Sequence, residues 1–281
     1  KELTRDDMDE GDMTCLNCVE SHDDVIGELC ELVKVHNPLA TKASVAEFFC
    51  PGKFTAHCGL LGLPDGMAFD LRTGWDLDKR ADQDAAWRWV KQRKPYLIIG
   101  SPMCGPFSIL QAMNDTNSHA YNQQLRKAMR HLRFCIELYR YQVRMGRKFL
   151  HEHPATAKSW KLPMVQELLK MEGVSVELGD QCVFGQTTIN EDKKVALAMK
   201  PTNWMGNDKF ILTAVGRKCP NRSCPKDSPV HVHQTLIGGR AKATESYPER
   251  LCIAILKALR LSMRAAGLLG AMEVGYHVDE P

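Results

Sequence analysis

Short apolar runs alternate with amphipathic stretches from residue 44 onward, and this alternation constrains the fold more than any other feature. The runs predict strands at 45–49, 66–70, 96–100, 148–152 and 174–178. Helical patterns at about 79–92 and 163–172 fall between some of these runs. Because strands that alternate with helices form parallel sheets covered on both faces, the pattern predicts an α/β protein with a mainly parallel sheet.

A longer amphipathic segment at 122–145 predicts a helix, because apolar residues recur along it at steps of three and four. Gly146 is expected to end this helix. The segment is also basic, with Arg126, Lys127, Arg130, Arg133, Arg140, Arg144, Arg147 and Lys148 in or just after it. Two interpretations stay open, a face that binds phosphates and a basic face that is simply solvated.

The predicted organisation has four parts. They are an N-terminal extension (1–43), an α/β core (44–178), an irregular Cys/His-containing segment (179–245) and a C-terminal helix with a tail (246–281). A short helix is predicted at 23–36 within the extension. Cys15 and Cys18 precede it, either as half of a zinc site or as two free thiols.

Composition excludes several classes of protein. The formal charge is only +3, from 37 basic and 34 acidic residues, so the overall charge does not by itself indicate a polyanion partner. No segment approaches the roughly 20 apolar residues of a membrane helix, and the polar start has no signal-peptide core. Eleven cysteines without a regular framework favour a reducing compartment, the nucleus or the cytoplasm. The missing initiator Met suggests a piece of a longer protein, and the oligomeric state stays open.

The run GSPMCGPFS at 100–108 places Cys104 directly after a buried strand, in a turn punctuated by Pro and Gly. A reactive thiolate needs such partial exposure, whereas a structural cysteine is more often found inside an apolar run. We therefore predict that Cys104 is a nucleophile, with a packed loop cysteine as the alternative.

About fifty residues later, FLHEHP places Glu152 at the end of the next strand. A carboxylate at this position can hydrogen-bond a base held near Cys104. The alternative for Glu152 is a strand-end residue in a salt bridge. The order of strand and Cys followed by strand and Glu favours the functional interpretation.

Pro102-Met103-Cys104 resembles the Pro-Cys motif of the cytosine carbon-5 methyltransferases, and Glu152 resembles the Glu of that family's Glu-Asn-Val motif. Met103 and Gly105 depart from the family, which usually has Pro and Gln there. The chain is most similar to methyltransferase-like modules of retroelement polyproteins. The resemblance spans about residues 44–260 and implies a Rossmann-like methyltransferase fold, in which Cys104 attacks carbon-6 of cytosine and Glu152 binds the base.

The same resemblance implies S-adenosylmethionine as the cofactor and nucleic acid, with DNA preferred, as the substrate. The residues that it assigns to the cofactor are Phe49, Gly52, Asp70, Asp76 and Pro102. The family's Gln-x-Arg-x-Arg motif is represented here by Gln186 without matching arginines. Lys193, Lys194 and Lys200 are the available cations, and lysine is a poorer planar donor than arginine.

A second group of residues has the composition of a structural zinc site. Cys219, Cys224, His231 and His233 lie within 15 residues and resemble a zinc knuckle, and Cys182 is a further candidate ligand. Because alternate residues of a strand point in opposite directions, only one of the two histidines is expected to bind. The alternative is a loop with incidental thiols.

Three hypotheses follow for function. The first is a methyltransferase-like enzyme that acts on cytosine in nucleic acid. The second is a catalytically degenerate methyltransferase fold that only binds nucleic acid, and the third is a metal nuclease built on Asp70, Asp76 and Glu152. The nuclease hypothesis leaves the position of Cys104 unexplained.

Overall fold

The computed structural model describes residues 41–109, 111, 118–223, 231–236 and 240–269, within one compact unit that begins at Thr41. The predicted helix at 23–36 and the pair Cys15 and Cys18 lie outside these residues.

The main sheet has six strands in the order β2-β1-β3-β4-β8-β5. Its strands are β1 (Val45–Phe48), β2 (Met67–Phe69), β3 (Leu97–Gly100), β4 (Lys148–Pro154), β5 (Ser175–Asp180) and β8 (Pro201–Gly206). Strands β1 to β4 pair in parallel, while β8 pairs antiparallel with both β4 and β5. All five predicted strands therefore lie in one mainly parallel sheet, which confirms the predicted α/β class.

Five helices are described together with these strands. They are α1 (Arg80–Arg93), α2 (His119–Arg144), α3 (Pro163–Leu169), α4 (Lys209–Val215) and α5 (Glu249–Ala265). The predicted stripe on α2 is confirmed, since Leu132, Ile136 and Tyr139 are buried. Ser118 caps the start of α2 by accepting a hydrogen bond from the Tyr121 N–H at 3.2 Å.

The helices cover both faces of the sheet. Alternate residues of β3 show this, because Leu97 and Ile99 pack in the core beside α4 and α5, whereas Ile98 packs in the core beside α1, α2 and α3. Burial on both faces explains why β3 reads as a continuous apolar run in the sequence. Because both faces of the sheet are packed against helices, the loops that leave its strands start from a fixed position.

The expectation of irregular structure over 179–245 is wrong for much of that segment. It contains β8, α4 and a two-stranded antiparallel hairpin of β6 (Thr187–Ile189) and β7 (Val195–Leu197). The sequence of β8, PTNWMG, has little local strand character. Pairing along both edges and burial of Trp204, which is 1% exposed, make it a strand.

None of the helices in the described part of the chain combines the length and the apolar character that a membrane span requires.

Candidate active site

Strand β1 lies between β2 and β3, so the chain moves to one side of β1 and then crosses to the other. Parallel α/β sheets bind ligands at such a reversal point, outside the carboxyl ends of the strands. The loop that leaves β3 here begins at Gly100, where a Cβ atom would lie 1.9 Å from the Tyr139 Oη. Glycine is therefore required where this loop passes over α2.

Cys104 lies in this loop, at the carboxyl edge of the sheet, and is partly exposed. It begins a short 3-10 turn, Gly105–Phe107, in which its carbonyl accepts a hydrogen bond from the Phe107 N–H at 2.9 Å. Burial, together with the nearby Glu152 carboxylate and against the opposing effect of Lys200, raises the pKa of the Cys104 thiol to about 11. At neutral pH the free protein therefore carries Cys104 mainly as the thiol.

Glu152 lies on β4, the strand next to β3, and is 5% exposed. The Tyr247 hydroxyl donates to its Oε2 atom at 3.2 Å. The Lys200 ammonium lies 3.4 Å from its Oε1 atom. That Oε1 atom is buried and accepts no hydrogen bond from any residue in the described ranges. The carboxylate is thus held in place and keeps one acceptor position for a ligand.

The structure places Cys104 and Glu152 at the same edge of the sheet, as the sequence predicts, and His153, the neighbour of Glu152, hydrogen-bonds the Cys104 loop at Pro102. Two adjacent parallel strands deliver them to the same edge of the sheet. The predicted salt bridge of Glu152 is also present, formed with Lys200. The two interpretations of Glu152 are therefore compatible.

His153 fastens the Cys104 loop to β4. Its Nε2 atom donates to the Pro102 carbonyl at 3.1 Å, so its Nδ1 atom accepts from the Ser159 hydroxyl at 2.7 Å. Burial lowers the pKa of His153 to about 4, which keeps the ring neutral at physiological pH. Pro102, which was assigned to the cofactor, serves through its carbonyl as the anchor of this loop.

Tyr247 is the site residue that the sequence analysis missed. It hydrogen-bonds both Ser101 and Glu152, and so joins the two strand-end loops. Burial raises the pKa of Tyr247 well above its usual value, with Glu152 adding to the effect, so the hydroxyl stays a donor. Its signal in the sequence is weak, because Tyr247 lies two residues before α5 and 95 residues from Glu152.

Three of the five residues assigned to the cofactor lie together beside the ends of β1 and β2. Phe49, Asp70 and Asp76 line one cavity of about 50 Å³. Asp70 already caps a 3-10 turn by accepting from the Arg72 N–H at 2.9 Å. Gly52 instead occupies a tight turn with φ +78°, where its left-handed backbone accounts for the glycine.

His131 of α2 fills the space next to this cavity. Its ring stacks on Phe49 with centroids 4.3 Å apart, and its Nε2 atom lies 3.0 Å from Asp78 Oδ1. Pockets for small molecules usually measure about 300 to 1,000 Å³. The acidic and aromatic lining suits S-adenosylmethionine, but the volume does not, so the cofactor does not fit unless the His131 ring moves.

A Cys/His group that could bind a metal lies elsewhere, beyond the ends of β5 and β7. Its four ligand atoms, from Cys182, Cys219, His231 and His233, all lie within 4.8 Å of one another. Cys224, also predicted as a ligand, lies outside the described residues. The expectation that only one histidine can reach the group is wrong, because only an isolated bridge at His233 ties this segment to β7.

The residues proposed for a metal nuclease are not assembled. Among the residues that the structure describes, Asp70, Asp76 and Glu152 do not come together as a potential metal-binding group. Asp70 and Asp76 lie beside β2, and two strands, β1 and β3, separate β2 from the β4 that carries Glu152. The geometry therefore gives this alternative no support.

The fold and the site define an α/β protein whose mostly parallel six-stranded sheet presents a cysteine and a buried glutamate at one edge. No protein-family model matches the sequence, and no curated protein matches it.

Proposed function

We propose that the chain is a cytosine carbon-5 methyltransferase-like protein that acts on nucleic acid through the Cys104 thiol. The observation that carries this proposal is the pairing of a partly exposed cysteine with a buried glutamate whose Oε1 atom lacks a hydrogen bond. The amino group of cytosine is a donor that suits this acceptor. The resemblance of Pro102-Met103-Cys104 to the family's Pro-Cys motif supports the same substrate.

The reaction at Cys104 follows from these groups. The thiol loses its proton, the thiolate attacks carbon-6 of the ring, and the new Sγ–C6 bond makes carbon-5 nucleophilic. Without a methyl donor, carbon-5 takes a proton from water. Loss of the original carbon-5 hydrogen and departure of the thiolate then restore cytosine. The net result is exchange of the carbon-5 hydrogen with solvent.

Glu152 positions the base for this attack. Its Oε1 atom, which lies 3.4 Å from the Lys200 ammonium, accepts a hydrogen bond from the amino group, while the Tyr247 hydroxyl holds the other oxygen, Oε2. A base in a duplex must leave its stack to reach a group at this edge of the sheet. DNA is the proposed substrate.

The basic helix α2 contributes less free charge than its sequence suggests. Lys127 and Arg130 both lie near Asp78, at 2.6 and 3.4 Å, and Arg140 pairs with Glu167 at 2.6 Å. Phosphate binding by the remaining cations of this helix stays a prediction.

The first prediction is that the protein exchanges the carbon-5 hydrogen of cytosine. Duplex DNA of random sequence, labelled with tritium at carbon-5 of cytosine, should release tritium into water when wild-type protein is added without a cofactor. Cys104→Ala should reduce the release to background, because it removes the proposed sulfur nucleophile. Glu152→Gln should slow it by roughly 100-fold, the usual size of a lost acid–base or hydrogen-bonding group.

Cys58→Ala is the matched control. Cys58 is a buried cysteine near Ser44 at the amino end of β1, so its removal should leave exchange unchanged. If wild-type protein binds the DNA and releases no tritium, Cys104 is not the nucleophile and the function is wrong.

The small cavity at Phe49 favours a second candidate, a degenerate methyltransferase fold that only binds nucleic acid. A volume of about 50 Å³ admits no cofactor as it stands. This candidate predicts DNA binding with neither tritium release nor affinity for S-adenosylhomocysteine. None of the Cys/His ligands is assigned to binding or attacking the base in either function, and a zinc ion there would be structural.

A further inference from the structure

We propose that the four side chains of the Cys/His group bind one structural Zn²⁺ ion, and that this ion fastens the segment of chain leading to Lys200. The ligands are Cys182, Cys219, His231 and His233. The role of Lys200 rests on the function proposed above, whereas the metal site does not.

The distances from the Cys219 sulfur to the two histidine nitrogens match a tetrahedral centre. The bond lengths of zinc to sulfur and nitrogen place neighbouring ligand atoms about 3.5 Å apart for a sulfur and a nitrogen. The Sγ atom of Cys219 lies 3.4 Å from the Nε2 atom of His231 and 3.6 Å from that of His233. The two imidazole rings are nearly perpendicular, at 88°, and their Nε2 atoms point to the same place but lie 2.8 Å apart. Two nitrogens bound to one zinc ion lie about 3.3 Å apart, so zinc binding requires these two atoms to separate by about 0.5 Å.

The charges also suit zinc. Cys182 and Cys219 are 4% and 2% exposed, and two thiolates balance the charge of one Zn²⁺ ion in this buried place. The neighbouring Asp180 carboxylate is neutralised by its own ion pair with Arg222, so it does not change the charge balance between the thiolates and the zinc ion. Asp180 Oδ2 also accepts from the Cys219 N–H at 2.8 Å, which fixes the backbone of that ligand.

The ligands come from three separate stretches of chain. Cys182 follows β5, Cys219 precedes a short 3-10 turn, and the histidines lie in the segment that bridges to β7 at Leu197. The histidine segment meets β7 through an isolated bridge at Leu197. A metal ion that joins this segment to the other two stretches would therefore order it. This structural role accounts for a metal site whose ligands do not include Cys104 or Glu152.

Two of these stretches border the approach to Lys200. The Cys182 N–H donates to the Met199 carbonyl at 3.4 Å, and the Gln234 N–H donates to the Leu197 carbonyl at 2.7 Å. Lys200 itself has φ +36°, a backbone conformation that its surroundings must impose. Its ammonium is then placed 3.4 Å from Glu152. A metal that holds Cys182 and His233 therefore holds residues 197–200 between them.

Zinc content of the purified chain tests the ligand set. We expect one zinc per chain in the wild type, loss of zinc in Cys182→Ser and Cys219→Ser, and retention in Cys224→Ser, the matched control. Co²⁺ in place of zinc should give the visible absorption of a tetrahedral site with two thiolates. A wild type without zinc, or zinc lost from Cys224→Ser and kept by Cys182→Ser, would overturn the proposal.

Hydrogen exchange tests the second part without nucleic acid. Removing zinc from the wild-type chain with a chelator should speed amide exchange at residues 197–202 at least tenfold, while β1 stays protected as an internal control. Equal protection with and without zinc would contradict the role at Lys200. Because neither measurement involves cytosine, failure of the function proposed for Cys104 leaves both results interpretable.

Discussion

At the scale of single residues, Cys104 sits among groups that act on its thiol in opposite directions. Burial and the Glu152 carboxylate raise the pKa of the thiol to about 11, and the Lys200 ammonium lowers it. A nucleophilic cysteine reacts as the thiolate, so this environment holds the free protein in a less reactive form. Deprotonation of Cys104 is then expected to limit the reaction in the physiological range.

The second prediction concerns pH. Below the pKa of Cys104 the thiolate fraction grows roughly tenfold with each pH unit. Tritium release should therefore rise with pH from 7 to 10 and level off near 11. The Lys200→Met variant should shift this profile to higher pH, because it removes the cation that favours the thiolate. A rate that is flat between pH 7 and 9 would rule out deprotonation of Cys104 in the free protein as the limiting step.

At the scale of elements, helix α2 decides what can enter the edge of the sheet beside β1 and β2. Its residue His131 stacks on Phe49 and contacts Asp78. Burial lowers the pKa of His131, so the ring is mainly neutral at physiological pH. Moving the ring away from Asp78 would therefore break no full ion pair. The His131 ring is thus one of the side chains that limit the cavity between Phe49 and Asp70, and Leu71, Trp75 and Leu77 are others.

The third prediction follows from that limit. His131→Ala should enlarge the cavity, and calorimetric titration should then show S-adenosylhomocysteine binding at least tenfold more tightly than to the wild type. His119→Ala, at the start of the same helix, is the control and should leave affinity unchanged. No gain of affinity in His131→Ala would show that the cavity is not the cofactor site.

At the scale of the whole molecule, the sheet buries histidines between its two layers of helices. His151 and His153 are 1% and 0% exposed at alternate positions of β4, on the same face of the strand. Burial lowers the pKa of both rings, to about 4 for His153. These neutral rings join the sheet to α2 and to the Cys104 loop, since His151 contacts the Tyr139 hydroxyl at 3.2 Å.

The fourth prediction is an acid-sensitive fold. An unfolded histidine takes up a proton near pH 6.5, whereas folded His153 does so only near pH 4. Stability contributed by the neutral ring is thus complete above pH 6.5 and is lost as the pH falls toward 4, at about 1.4 kcal/mol per pH unit. Urea unfolding of wild type should show at least this slope, and His153→Gln should reduce it, while His151 keeps its own contribution. Equal unfolding free energies for the wild type at pH 7 and pH 5 would refute it.

The sequence by itself determined the parallel strands and the approach of Cys104 to Glu152. Buried parallel strands are apolar on both faces. The apolar runs in β1, in β3 and at the start of β4 can therefore be recognised from the local sequence. Residues that end adjacent parallel strands necessarily meet at one edge, which is why two side chains 48 positions apart were predicted as a pair from their placement alone.

Only the tertiary structure decided the rest of the site. Strand β8 has little intrinsic strand character and exists because β4 and β5 pair with it and bury Trp204. Tyr247 reaches Glu152 across 95 residues, and both histidines of the Cys/His group reach Cys219 because their segment bends away from regular strand geometry. Such contacts depend on packing between distant segments, and local patterns of hydrophobicity carry no information about them.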